Sequence, residues 1–313
     1  MNAKYFLILL LSSLVVLHGC DKLDDEPYKA NLADFLNNNK PALQTFTVQA
    51  GVASEIHGAK GCTINFNANS FYTLSGDSVN SGSVEIQLRE VTTKKDMVLS
   101  QTPTISNNEL IVSQGVYYIK ALQNGFELRI NKLNISRTWS PFYQFQFSKV
   151  FLGSIVNDNF SWFPPDPGDS APLYYVHDSI FSGDTASYQM YLRSTYYVSQ
   201  NYNWINCDYF YTDTTARVAV FFPTADTLTD YFFQSYLVFN DLNAVLRYGH
   251  YTNNTIEFYN IPIGLNATLV TYYIVGGKVF VASAPIVVSD ALSTPITFTE
   301  TTEQGLLDIL GGL

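Results

Sequence analysis

Strict alternation of apolar and polar residues is the feature that most constrains the fold of this chain. Val84, Ile86 and Leu88 share one face of the segment 83–90, and the residues between them are charged or amidic. A period of two is typical of a half-buried antiparallel β-strand. A helical pattern of useful length appears only at residues 306–310. We therefore predict an all-β protein with a short C-terminal helix.

Two tight turns strengthen this prediction. Asn124-Gly125 separates the strand-like segments 115–122 and 126–130, and Gly276-Gly277 separates a second such pair. Two-residue turns of this type favour hairpins with a positive φ at both positions. Low charge with many aromatic and β-branched residues is also typical of β-structure rather than disorder. The expected architecture is two antiparallel β-sandwich domains.

The expected boundary between the sandwiches is a proline-rich stretch. Residues 163–172 contain four prolines, which cannot lie in a central strand. We place an N-terminal β-sandwich at 46–160, a linker or loop at 161–173, and a C-terminal β-sandwich with its terminal helix at 174–313. The alternative is that this stretch is a surface loop within one larger domain.

The N-terminus carries an export signal. Leu17-His18-Gly19-Cys20 closes an apolar run of about a dozen residues, which is shorter than the roughly 20 residues that a membrane-spanning helix needs. The run is typical of a signal peptide over residues 1–19, and its end reads as a lipobox with Cys20 as the lipidation site. More than one acyl chain on Cys20 would anchor the protein stably in a membrane. The alternative is an ordinary secretory signal with a chance cysteine.

Residues 20–45 are interpreted as the lipidated cysteine and a flexible tether. The charged run 21–26 resembles the surface-export signal of Bacteroidota lipoproteins, which implies an outer-membrane protein exposed on the cell surface. Two alternatives stay open. The run is a plain acidic tether on a periplasm-facing protein, or Asp21 acts as the inner-membrane retention signal of enteric bacteria.

Several longer segments resemble a family of Bacteroidota outer-membrane lipoproteins with tandem β-sandwich domains. The resemblance lies in residues 61–71, in Gly115–Ala121 with the following turn, and in Trp204-Ile205-Asn206-Cys207-Asp208. The N-terminal part is distantly similar to ZU5-type interaction modules. Residues 258–264 resemble the end of a prealbumin-like or carboxypeptidase-regulatory-like sandwich. Asn203 and Tyr209 depart from the glycine and arginine of the family pattern, and the resemblance carries no activity over to this chain.

Three groups of residues are candidate sites. Asp-Ser and Asp-Thr triplets match the O-glycosylation signal of exported Bacteroidota proteins, although such pairs also favour turns. The candidate acceptors are Ser78, Ser170, Ser179, Thr185, Thr214 and Thr227. The candidate ligand-contacting aromatics are Tyr196, Tyr197, Tyr202 and Trp204, with burial in the core as the alternative. Cys62 and Cys207 either form a disulfide, which an exported compartment permits, or are two buried free thiols.

The sequence predicts no catalytic residue, metal site or cofactor. His57, His177 and His250 lie far apart in sequence, and the chain has no calcium loop, phosphate loop or nucleophile elbow. Its formal charge of −10 argues against nucleic acid as a partner. The expected function is a non-catalytic interaction or structural module of the cell envelope, whose partners are the membrane and another envelope protein or a glycan. The alternatives are a glycan-binding accessory lipoprotein of a polysaccharide-uptake system and a hydrolase, for example one using Cys207 with a histidine.

Overall fold

A computed structural model describes residues 26–131, 133–139, 149–156, 159–163, 174–176, 186–192, 203–228 and 232–313. Strands make up 56% of these residues and helices 12%, so the predicted all-β fold of the β-sandwich type is confirmed. The helices are α1 (Glu26–Asn39), α2 (Lys94–Ser100) and α3 (Glu303–Gly311). The strands of the first half are β1 (Gln44–Gln49), β2 (Ser54–His57), β3 (Cys62–Phe66), β4 (Phe71–Tyr72), β5 (Ser83–Val91), β6 (Ile105–Ser106), β7 (Glu109–Gln123), β8 (Phe126–Ile130), β9 (Leu133–Trp139), β10 (Lys149–Val156), β11 (Asn159–Phe163), β12 (Tyr174–Val176), β13 (Ala186–Leu192) and β14 (Trp204–Phe210). The second half contains β15 (Arg217–Pro223), β16 (Phe233–Phe239), β17 (Val245–Arg247), β18 (His250–Thr252), β19 (Thr255–Pro262), β20 (Asn266–Val275), β21 (Lys278–Val287) and β22 (Thr299–Thr301).

The strands form two sandwiches. In the first, a nine-stranded sheet with the path β1-β5-β7-β14-β10-β11-β6 shares a core with the five-stranded sheet β12-β13-β9-β3-β2. In the second, the sheet β15-β19-β18 packs on β17-β16-β20-β21-β22. The hairpins predicted at 124–125 and 276–277 are both present, with positive φ at all four turn residues.

A third apolar cluster, the middle core, lies between the two sandwiches. It joins residues of β7, β10 and β11 to residues of β16, β20 and β21, and it contains buried residues of all three helices. Both faces of these central sheets are therefore buried. Every residue of β16 is buried. Because both faces of this strand are covered, its sequence does not alternate between apolar and polar residues.

Backbone hydrogen bonds also join the two sandwiches. Thr104 donates its backbone amide to the carbonyl oxygen of Val245 at 2.7 Å, and Val245 donates its own to the Thr104 hydroxyl at 2.8 Å. Ser113 donates its backbone amide to the carbonyl oxygen of Asn243 at 3.0 Å, and the Asn243 side chain donates to the Ser113 carbonyl at 2.9 Å. Hydrogen bonds in a buried junction are lost only at a free-energy cost, so the sandwiches are held in one arrangement.

The boundary expected at 161–173 is wrong. Strands on its two sides pair within the same sheets, because β13 pairs with β9 and β14 pairs with β10 and β7. The first sandwich therefore continues to Phe210, and the second begins at Arg217. Proline excludes a segment from a strand but does not prevent the chain from returning to the same sheet.

The flexible tether expected at 20–45 is wrong for residues 26–39, which form α1. Leu32, Phe35 and Leu36 are buried in the middle core, and the Phe35 ring contacts the Tyr272 ring edge-on at 6.2 Å. These three residues make an apolar stripe of only one helical turn. Such a short stripe is stabilised by its tertiary partners rather than by the helix itself.

Candidate functional sites

The predicted lipidation site, Cys20, lies outside the described residues, but its separation along the chain from α1 is known. The helix α1 begins at Glu26, six positions after Cys20. A fully extended chain of that length spans at most about 21 Å. If Cys20 carries a lipid, the start of α1 lies within that distance of the lipidated residue.

Three of the six candidate glycosylation sites lie among the described residues. Ser78, Thr214 and Thr227 are all solvent-exposed and lie outside the long strands. An exposed loop position is what a glycan acceptor requires. Ser170, Ser179 and Thr185 lie outside the described residues.

Cys62 and Cys207 are free and buried in the core of the first sandwich, which is the second of the two states considered above. Burial raises the pKa of the Cys62 thiol, and the neighbouring Glu90 carboxylate raises it further. Burial likewise raises the pKa of the Cys207 thiol, whose sulfur lies 3.4 Å from the Gln114 side-chain oxygen. A protonated thiol is a poor nucleophile, so neither cysteine is prepared for covalent chemistry.

Glu90 occupies a closed cradle at the end of β5. Its carboxylate accepts hydrogen bonds from the backbone amides of Lys60 at 2.7 Å and Cys62 at 3.1 Å, and from the Gln44 side chain at 3.0 Å. A Cβ atom on Gly58 would lie 2.5 Å from the carboxylate, so the β2–β3 loop can close on it only with glycine there. The cradle holds β1, the β2–β3 loop and β5 together.

A second buried carboxyl group, Asp208, lies at a register shift between β14 and β7. It accepts a hydrogen bond from the Asn206 side-chain amide, and Ser113 donates to the Asn206 oxygen at 3.1 Å. Burial raises the pKa of Asp208 well above its ordinary value, against the opposing hydrogen bonds from Ser113, Gln114 and Asn206. Asp208 is fully buried beside the middle core, which makes it part of the junction rather than an accessible acid.

Of the four predicted ligand-contacting aromatics, Trp204 alone lies among the described residues. Its ring contacts Tyr118 edge-on at 5.2 Å and Phe160 at 5.7 Å. It is half-buried and packs against the middle core, which favours the alternative of a core role for Trp204. Tyr196, Tyr197 and Tyr202 lie outside the described residues.

The sequence did not single out an exposed aromatic site on the sheet β15-β19-β18. Tyr259 is 38% exposed, and its hydroxyl donates a hydrogen bond to the Glu257 carboxylate. The His250 ring contacts the Tyr259 ring at 5.7 Å. A Cβ atom on Gly249 would lie 2.9 Å from the Tyr259 ring, so the ring packs close against that glycine. We call Tyr259, His250 and Glu257 the outer aromatic patch.

The hydrolase alternative gains no catalytic contact in the described residues. His57 contacts Thr63 and Glu55, His250 lies in the outer aromatic patch, and His177 is outside the described residues. In the described part of the chain, no three His, Cys, Asp or Glu residues cluster as metal ligands would. None of the described helices is long and apolar enough to cross a bilayer.

Comparisons with family models, with curated proteins and with solved structures gave no match.

Proposed function

We propose that this chain is a lipid-anchored protein of a bacterial outer membrane that acts as a non-catalytic interaction or structural module. The observation that carries the proposal is the short connection from Cys20 to α1, which is packed into the middle core through Leu32, Phe35 and Leu36. A lipid at Cys20 is thereby coupled to a rigid body and not to a loose domain. Such a coupling is suited to presenting a surface within a short distance of the membrane.

The anchor is tested by metabolic labelling with an alkyne-palmitate and by membrane fractionation. The unaltered chain should incorporate the label and sediment with the outer membrane. Cys20→Ala should lose the label and appear in the soluble fraction, whereas Cys62→Ala, which leaves the signal intact, should keep both properties. A Cys20→Ala protein that stays in the outer membrane would refute lipid anchoring.

The facing of the protein is tested by protease shaving of intact cells. We propose surface exposure, so shaving should remove the protein while a periplasmic control protein survives. Survival of the chain in intact cells, with digestion after the outer membrane is permeabilised, would place it on the periplasmic side.

We also propose that exported copies carry O-glycans at Ser78, Thr214 or Thr227. Their shared Asp-Ser/Thr context and exposure support this assignment. The mass of the purified native protein should exceed that calculated for the lipidated polypeptide, and this excess should shrink when the three residues are replaced by alanine. An unchanged mass would refute these acceptors.

Glycan binding is a second candidate, favoured by the outer aromatic patch. Aromatic faces beside fixed polar groups are suited to stacking on sugar rings. Neutral plant and bacterial oligosaccharides on an array should bind the unaltered chain. Tyr259→Phe keeps the ring and should keep most of the binding, whereas Tyr259→Ala should abolish it. Equal binding by all three proteins would exclude this patch.

A further inference from the structure

Among the strands that the structure describes, β1 is an open edge of the nine-stranded sheet. Within the described part of the chain, β5 is its only paired strand, and no backbone hydrogen bond joins residues 45–48 to another segment. The edge strand β15 is longer, but the segment 292–296 covers it through backbone hydrogen bonds. The edge strands β2, β18 and β22 have four, three and three residues, against six in β1.

The side chains of β1 do not protect this edge. Proteins usually block exposed edges with charged residues, proline or a very short strand. The neighbouring edge strand β2 follows this rule, because Glu55 and His57 are both exposed on it. In contrast, β1 reads Gln-Thr-Phe-Thr-Val-Gln and has neither a charge nor a proline. Its exposed residues are Thr45, Thr47 and Gln49, which are suited to cross-strand pairing.

The residues around β1 are complementary to themselves about Thr47. In an antiparallel pair centred on this residue, Thr47 faces its own copy, Thr45 faces Gln49, and Phe46 faces Val48. Outward residues then meet outward residues, and core-facing residues meet core-facing ones. Leu43 and Val52, which flank β1, are 41% and 59% exposed, so both ends of this edge are apolar and accessible.

We propose that β1 pairs with β1 of a second copy of this chain, so that two nine-stranded sheets join edge to edge in a symmetric dimer. Because β1 carries no charge, no like charges face each other in this two-fold register, which favours a second copy as the partner. A two-fold interface uses the same surface patch on both subunits, as this one does.

This proposal depends on the proposed function in one respect, because membrane anchoring is what would strengthen the contact between the two copies. One pair of short strands buries less area than a typical stable interface. Two copies anchored in one leaflet are held at a high effective concentration, which strengthens such a weak contact. The pairing should therefore be strong on membranes and weaker, but still specific, in solution.

Cysteine cross-linking tests the register. The full chain carrying Cys20→Ala has only the buried Cys62 and Cys207, so an added cysteine reports its own position. Residues directly opposite in an antiparallel pair lie about 4.5–5.5 Å apart at Cα, which suits a disulfide. With diamide as oxidant, Thr47→Cys should give about ten-fold more covalent dimer than the control Thr252→Cys on the exposed strand β18. Equal yields at the two positions would overturn the proposal.

A matched pair of charge variants tests the interface itself. In the Thr47→Cys background, T45K with Q49E places opposite charges across the dimer, whereas T45K with Q49K places like charges there. All these positions are exposed, so both proteins should unfold at the same denaturant concentration. The first should cross-link and the second should not. Equal cross-linking of the two refutes the β1 dimer.

The two proposals can fail separately. A specific Thr47 cross-link in the Cys20→Ala protein supports the dimer even if the labelling experiment shows no lipid. A labelled, membrane-bound protein whose Thr47→Cys form does not cross-link on the membrane refutes the dimer and leaves the anchor in place.

Discussion

The carboxylate of Glu90 accepts the backbone amide hydrogen of Lys60 at 2.7 Å, which fixes the β2–β3 loop to the end of β5. Cys62 and Gln44 also donate to this carboxylate, so all three of these hydrogen-bond partners are donors. An acceptor-only group is therefore required at this position.

Replacing Glu90 by glutamine should destabilise the protein. In Glu90→Gln, the side-chain NH₂ group is a donor that faces the donors of Lys60, Cys62 or Gln44. At least one buried N–H group is then left without an acceptor. We expect a loss of about 2–3 kcal/mol in the free energy of unfolding, measured by urea denaturation. Glu85→Gln, at an exposed position of the same strand, should change it little. Equal stabilities of the two variants would show that the cradle contributes nothing.

Gly153 leaves space for the aromatic rings at the edge of the middle core. A Cβ atom there would lie 2.5 Å from Phe160, 2.7 Å from Trp162 and 2.8 Å from Trp204. Gly153→Ala should therefore destabilise the protein by about 1–3 kcal/mol through overpacking. Gly311→Ala is the control, since its nearest atom is 3.7 Å away and alanine favours a helix. A Gly153→Ala protein as stable as the parent would contradict this packing.

The elements that sequence predicts well are those with a local signal. The alternation in β5, the turns at 124–125 and 276–277, and the apolar spacing in α3 depend on neighbouring residues, and all four are present. The docking of α1 depends on Tyr272, which is remote in sequence. Within α1 itself, Leu32, Phe35 and Leu36 form an apolar stripe of only one helical turn, which is too short to predict a helix. The boundary after Phe210 was missed because it depends on strand pairing, whereas proline content reports only where strands cannot form.

The candidate sites divide in the same way. Exposure of Ser78, Thr214 and Thr227 agrees with their turn-like sequence. In contrast, the outer aromatic patch needs His250 and Tyr259 on adjacent strands, and the Glu90 cradle needs a loop from a different hairpin. No short sequence window contains either arrangement, so neither could be read from the chain alone.

The two core cysteines should be unreactive in the folded protein. Their raised pKa values keep the thiols of Cys62 and Cys207 protonated, and burial excludes reagents. In the Cys20→Ala protein at pH 8, a chromogenic thiol reagent should detect no thiol before denaturation and both afterwards, without reductant. Detection of neither thiol in denaturant would mean that the two form a disulfide.

Asp208 should make the stability of the protein depend on pH. Its carboxyl loses its proton near the ordinary pKa of about 3.9 in the unfolded chain, but burial raises the pKa well above that in the folded protein. Unfolding at intermediate pH therefore releases a proton. The stability of the folded state is greatest below the unfolded pKa and falls as the pH rises toward the folded pKa, by about 1.4 kcal/mol per pH unit within that window.

Asp208→Asn replaces the titratable carboxyl group by an amide of the same shape, so it isolates the contribution of Asp208 to the pH dependence of stability. We expect the stability of the variant relative to the parent to increase from pH 5 to pH 8 in urea denaturation, because only the parent releases the Asp208 proton on unfolding. Asp208 lies at the register shift between β14 and β7 and is fully buried, so its carboxyl group has no access to solvent in the folded protein. Parallel pH profiles for the two proteins would mean that Asp208 is ionised in the folded state, and that the junction accommodates a buried charge.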